Sequence, residues 1–116
     1  MAIFIVCLVP KVDVDTEEVV GAEAVVRYHH KDLGIMNPGK YLTLLEETKL
    51  SHYLDLYVFE EVCKTLRRWE TEDLPMIPIA VNFAGATLRQ IDVAEKMTAL
   101  IEKYHVSCEY LEVEVS

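Results

Sequence analysis

The segment 21–28 carries two opposite charges within an otherwise apolar run. Because successive side chains of a β-strand point to opposite faces, Glu23, Val25 and Arg27 share one face of such a strand. A carboxylate and a guanidinium are costly to bury unless partners pair with them. The two charges therefore form a structural ion pair, face solvent at a strand edge, or are the acidic and basic groups of a ligand site.

Polar groups occur at similar positions in two later β-prone segments. Asn82 shares a face with Pro78, Ala80 and Ala84, and Glu114 shares one with Glu112 and Ser116. In a parallel barrel the carboxyl ends of the strands meet at the mouth that holds the chemistry. We therefore expect Glu23, Asn82 and Glu114 to converge as oxygen ligands for Mg²⁺ or Mn²⁺. The alternatives are that Asn82 caps a turn and that both glutamates of the last segment face water on an edge strand.

Length and charge bound the kind of protein that can hold these groups. The 116 residues predict one domain, residues 1–116, with a sizeable core. A net charge of −9 argues against binding to a nucleic-acid polymer, whose phosphates require a basic surface. We expect no membrane segment and a cytoplasmic location, since no run approaches the roughly 20 apolar residues of a span and the apolar start lacks a basic leader.

The order of predicted elements is β-β-α-α-β-α-β. The first strand, 3–9, is typical of a strand buried on both faces and stops at Pro10. A short connection makes it antiparallel to the second strand, and later strands that alternate with helices favour an α/β layered or barrel fold. After a loop over 29–37, the remaining elements are helices 38–48 and 51–69, a strand over 77–83, a helix over 93–104 and a strand over 110–115.

Two of the helices show apolar stripes at helical spacing. In helix 51–69 the stripe consists of Leu54, Val58, Val62 and Leu66. The sequence Asp92-Val-Ala-Glu95 has the spacing of a capping box and predicts the start of the later helix. The stripe of that helix is predicted to contain Ala94, Met97, Leu100 and Ile101.

Five segments, in order, resemble motifs of the EAL domain, a bacterial family of cyclic di-GMP phosphodiesterases and their inactive relatives. The resemblance covers nearly the whole chain. It implies a modified (β/α)₈ barrel of the TIM type whose first strand is antiparallel to the others. The five segments are Pro10-Lys11-Val12-Asp13, residues 21–28, Leu45-Glu46-Glu47-Thr48, Val81-Asn82-Phe83 and residues 111–116.

The resemblance also implies roles for individual residues. Glu23, Asn82 and Glu114 match metal ligands of the family, for Mg²⁺ or Mn²⁺. Arg27 matches an arginine that contacts the dinucleotide, and Glu47 matches a glutamate of the substrate-binding side. Val25 stands at a ligand-facing position where the family motif has leucine.

The chain also departs from the family pattern. Val9, Lys49 and Ala84 replace the usual Gln, Gly and Ser. A complete (β/α)₈ barrel takes about 250 residues, so the resemblance implies the N-terminal half of one, without the later Asp-Asp pair, lysine and distal glutamate. We therefore expect no catalysis by this polypeptide alone. The alternative function is a regulatory module that dimerises or senses cyclic di-GMP. Open sheet edges would in either case favour a homo-oligomer.

Overall fold

A computed structural model describes residues 2–30, 34–36 and 51–115 of the chain. The predicted helix 38–48 and Glu47 lie outside these residues. The described elements are strands β1 (Ala2–Val12), β2 (Val19–His30) and β3 (Gly34–Met36), helix α1 (Ser51–Thr71), strand β4 (Ile79–Phe83), helices α2 (Gly85–Leu88) and α3 (Val93–Tyr104), a 3₁₀ turn (Cys108–Tyr110) and strand β5 (Leu111–Val115).

The described strands form one mixed sheet in the order β1-β2-β4-β5, with β3 paired to β2. Strand β1 is antiparallel to β2, as predicted from the short connection between them. The pairs β2-β4 and β4-β5 are parallel, which agrees with the predicted α/β barrel architecture. The register aligns Glu23 with Ala80, and Asn82 with Glu114, so these polar residues lie on one face of the sheet.

The opposite face of the sheet packs against the helices and forms the core. The predicted stripe of α1 is confirmed, because all four of its residues are buried, and Phe59 and Cys63 widen it. The alternating residues Ile79, Val81 and Phe83 of β4 are completely buried under this helix. The Phe59 and Phe83 rings meet edge to face, with centroids 5.8 Å apart. Burial raises the pKa of the Cys63 thiol to about 11.

The prediction that β1 is buried on both faces is wrong. It lies at the end of the strand order, and Ile5, Val9 and Val12 are exposed. The strand also continues through Pro10, at which the sequence predicted a stop. An edge strand tolerates proline because a missing N–H can face away from the ladder. An apolar run therefore indicated the strand correctly but not its burial.

Several local predictions also need correction. Strand β3 lies within the predicted loop over 29–37, and the short helix α2 follows β4 directly. Helix α3 has the predicted bounds, but Asp92 makes no capping hydrogen bond with its side chain and instead lies 3.1 Å from Lys96 Nζ. Ala94 is exposed, and Val93 is buried in its place. None of the helices in the described part of the chain combines the length and apolar character needed to cross a membrane.

Candidate functional site

The centre of the polar face is a hydrogen bond between β2 and β4. Asn82 Nδ2 donates to Glu23 Oε1 over 2.6 Å, and both side chains are half-buried. Both residues face away from the helices, because their neighbours in the strand are buried on the helix side. These neighbours are Ala22 and Ala24 for Glu23, and Val81 and Phe83 for Asn82. Strand alternation thus brings an acid and an amide together although 59 positions separate them.

Glu114 lies on the same face but has a different contact in this structure. The ammonium group of Lys11 donates to Glu114 Oε1 over 3.3 Å and lies 3.9 Å from Glu112 Oε2. Lys11 and Glu114 belong to the two strands at the ends of the order. Their contact shows that the sheet curls toward the polar face, which is therefore concave.

The other predicted site residues on β2 also share this face. The register pairs Val9 with Glu23 and Cys7 with Val25, and strand alternation places Arg27 on the same side. Arg27 is half-buried, and its Nη1 donates to the Val26 carbonyl over 3.4 Å. The structure thus places Glu23, Val25, Arg27, Asn82 and Glu114 on one face. Their roles as metal or substrate ligands remain predictions.

Sequence reasoning missed a polar network that fixes the end of β4. Asp55 Oδ2 accepts hydrogen bonds from the Ala84 backbone N–H, over 3.0 Å, and from the Thr87 hydroxyl, over 2.6 Å. Thr87 is completely buried. The Asp55 carboxylate of α1 therefore holds the segment two residues after Asn82. Its position beside Leu54, at the margin of the buried stripe, was the signal available in the sequence.

We expect the substitution Asp55→Ala to lower the free energy of unfolding by about 1–3 kcal/mol, because it leaves the buried Thr87 hydroxyl without its acceptor. Asp55→Asn keeps an acceptor oxygen and should cost less than about 1 kcal/mol. Urea denaturation followed by circular dichroism measures both changes. Adding Thr87→Val to Asp55→Ala should restore part of the loss, and an unchanged midpoint for Asp55→Ala alone would contradict this account.

The donor chemistry of the concave face fits a divalent cation. Carboxylate and amide oxygens are ligands that Mg²⁺ and Mn²⁺ prefer. Glu23 and Asn82 place a carboxylate beside an amide, whose nitrogen faces the carboxylate in this structure. Among the described residues no three His, Cys, Asp or Glu side chains are grouped to hold a metal. A set that includes Glu114 therefore requires this carboxylate to exchange its contact with Lys11 for one with the ion.

Comparison with known families identifies the chain. The family model of the EAL domain matches residues 3–116, and the chain therefore belongs to the EAL domain family. A solved complex of the PaMucR phosphodiesterase with c-di-GMP superimposes with a TM-score of 0.89 at 25% identity, over 97% of this chain and 45% of that one. An EAL domain protein from Listeria monocytogenes gives a TM-score of 0.82 at 18% identity, over 97% of this chain and 44% of that one, which supports the fold alone.

The similar curated proteins are much longer than this chain. A cyclic di-GMP phosphodiesterase of Pseudomonas aeruginosa is 28% identical over 105 residues, which are 90% of this chain and 18% of that protein. The signaling protein YkoW of Bacillus subtilis is 26% identical over 113 residues, which are 97% of this chain and 14% of that protein. The chain thus spans less than a fifth of the length of either relative.

Proposed function

We propose that residues 1–116 form the part of a cyclic di-GMP phosphodiesterase domain that provides one wall of its metal and dinucleotide site. The observation that carries the proposal is the Glu23–Asn82 pair on a concave face shared with Arg27 and Glu114. Family membership supports it, as does the similarity to a protein named as a cyclic di-GMP phosphodiesterase.

In this proposal each side chain has a definite task. Glu23, Asn82 and Glu114 supply oxygen ligands, and Arg27 pairs with a phosphate of the dinucleotide. Val25 lies between Glu23 and Arg27 and supplies an apolar contact for the ligand. Glu47, which is not among the residues that the structure describes, is assigned a contact with the substrate. A bound Mg²⁺ or Mn²⁺ would activate water and neutralise charge on the phosphodiester.

Binding of cyclic di-GMP by residues 1–116 tests the proposal. We expect calorimetry with Mg²⁺ present to detect binding that Arg27→Ala weakens by roughly tenfold or more, since a charge-assisted contact to phosphate is lost. Arg68→Ala is the matched control, because Arg68 is exposed and lies in the last turn of α1. Equal binding by the Arg27→Ala variant and the unaltered chain would contradict the assigned contact.

The same samples, analysed by chromatography, test whether this polypeptide is an enzyme. We propose that residues 1–116 on their own bind cyclic di-GMP without hydrolysing it, because the family motifs that complete the metal site have no counterpart among these residues. Val9 and Ala84, where the motifs have Gln and Ser, favour the second candidate, a regulatory module that senses the dinucleotide. Linear product above the level of a Glu23→Ala control would show hydrolysis. It would contradict both the inactive phosphodiesterase fragment and the regulatory module.

We also propose that this polypeptide forms a homo-oligomer in the cytoplasm. Among the described residues, β1 and β5 each pair with a neighbour on one side only, and unpaired strand edges favour association. These two strands also expose the apolar side chains of Ile5, Leu8, Val9, Val113 and Val115. The three cysteines are free, which fits a reducing compartment. Light scattering at several protein concentrations should give a mass above 13.3 kDa. A constant mass of one chain at micromolar concentrations would contradict the oligomer.

A further inference from the structure

Lys11 is a basic residue of the concave face to which the proposed function assigns no task. It lies on β1, yet its ammonium group contacts Glu114 at 3.3 Å and Glu112 at 3.9 Å on β5. These three side chains are each between about one third and one half exposed, so the ion pairs can break without disturbing the core.

The sheet leaves a path for this side chain across β2. Lys11 pairs with Gly21 in the register, and a Cβ atom at Gly21 would lie 3.9 Å from Lys11 Cδ and 3.2 Å from the Pro78 carbonyl oxygen. The lysine stem therefore passes over a glycine. A larger residue at this position would crowd both the stem and the backbone of the segment before β4.

The contact between Lys11 and Glu114 conflicts with metal binding by the same carboxylate. An ammonium group and a divalent cation at one carboxylate would lie a few ångströms apart and repel each other. The Glu114 oxygen therefore binds either Lys11 or the ion. Glu23 does not face this choice, because its described contact is with the neutral amide of Asn82.

We propose that Lys11 is a positioning residue that competes with the divalent cation for Glu114 and thereby lowers the metal affinity of the site. In the absence of metal it neutralises the β5 carboxylates and holds Glu114 on the concave face. Metal binding then requires Lys11 to move away. This inference rests on the proposed function, because it takes the metal site as given.

Manganese affinity tests the competition directly. Free Mn²⁺ is measured by electron paramagnetic resonance during titration of residues 1–116 and its variants. We expect Lys11→Met to bind Mn²⁺ about fivefold more tightly, which is the scale of an exposed ion pair. Lys11→Arg keeps the charge and should not tighten binding. Lys64→Met removes a lysine that pairs with Glu61 on α1 and should leave the affinity unchanged.

A second measurement follows Lys11 itself and requires no variant. Lysines are acetylated with a limiting amount of an amine-reactive acetylating reagent, and the products are quantified by mass spectrometry. Acetylation of Lys11 should become faster when Mg²⁺ is added, because the ammonium group leaves the carboxylates. The rate at Lys64 should stay constant. If Lys11→Met unfolds, Lys11→Gln replaces it in the titration, and circular dichroism establishes that each variant is folded.

The outcomes separate this inference from the proposed function. The competition is supported if Lys11→Met binds Mn²⁺ more tightly, if adding Glu23→Gln abolishes this binding, and if Mg²⁺ makes acetylation of Lys11 faster. Equal Mn²⁺ affinity of Lys11→Met and the unaltered chain, or no change in acetylation, overturns the role of Lys11 and leaves the metal site standing. Absence of Mn²⁺ binding at millimolar concentration in every variant overturns the metal site and the inference with it.

Discussion

Replacing Phe83 with alanine is expected to lower the free energy of unfolding by about 3–5 kcal/mol. The side chain is completely buried at the end of β4 and packs edge to face on Phe59. Its removal would leave a cavity between the sheet and α1 that the packed core can close only in part. A domain of this size has a total stability of roughly 5–15 kcal/mol, so the variant should lose a large share of it. Urea denaturation monitored by circular dichroism measures the change.

Two further variants separate the loss of packing from other causes. Phe83→Leu keeps most of the apolar volume and should cost clearly less than Phe83→Ala. Val115→Ala removes an exposed side chain from the neighbouring strand β5 and should stay within about 0.5 kcal/mol of the unaltered chain. A loss for Phe83→Ala no greater than that for Val115→Ala would show that the helix–sheet interface differs from the one described above.

The periodic patterns of the sequence predicted the elements that carry the core. Leu54, Val58, Val62 and Leu66 recur at helical spacing, and burial of one face of α1 follows directly from that spacing. Alternation in β2 and β4 likewise predicted which residues face the helices. Patterns of this kind depend only on local geometry, so the sequence is sufficient to find them.

Burial of β1 depended instead on what covers the strand. The apolar residues of β1 predicted a buried strand, but its place at the end of the strand order leaves several of them exposed. Strand order results from long-range pairing, which no local pattern contains. For this reason the sequence predicted the position of β1 in the chain correctly but not its burial.

The candidate site was predicted only in part for a similar reason. Strand alternation placed Glu23, Asn82 and Glu114 on one face, and the register agrees. The specific contacts could not be predicted from the sequence, because 103 positions separate Lys11 from Glu114 and 32 separate Asp55 from Thr87. Such pairs depend on the curl of the sheet and the docking of α1, and single residues of common types give no local sign of them.

The substitution Glu23→Gln is expected to lower the Mn²⁺ affinity of residues 1–116 at least tenfold. Loss of even an indirect partner of a metal ligand typically reduces affinity by about 10–100-fold, and this change removes a charged donor itself. The fold should persist, because a glutamine Oε1 can still accept the hydrogen bond from Asn82 Nδ2.

The matched control for this prediction is Glu112→Gln, which removes an equal charge from the same face. Glu112 lies near Lys11 at 3.9 Å and is not among the assigned ligands, so its loss should change Mn²⁺ affinity by less than about threefold. Electron paramagnetic resonance of free Mn²⁺ gives both affinities, and urea denaturation should show both variants within about 1 kcal/mol of the unaltered chain. If the two variants lose affinity equally, Mn²⁺ responds to the overall negative charge of the concave face, and Glu23 loses its assignment as a ligand.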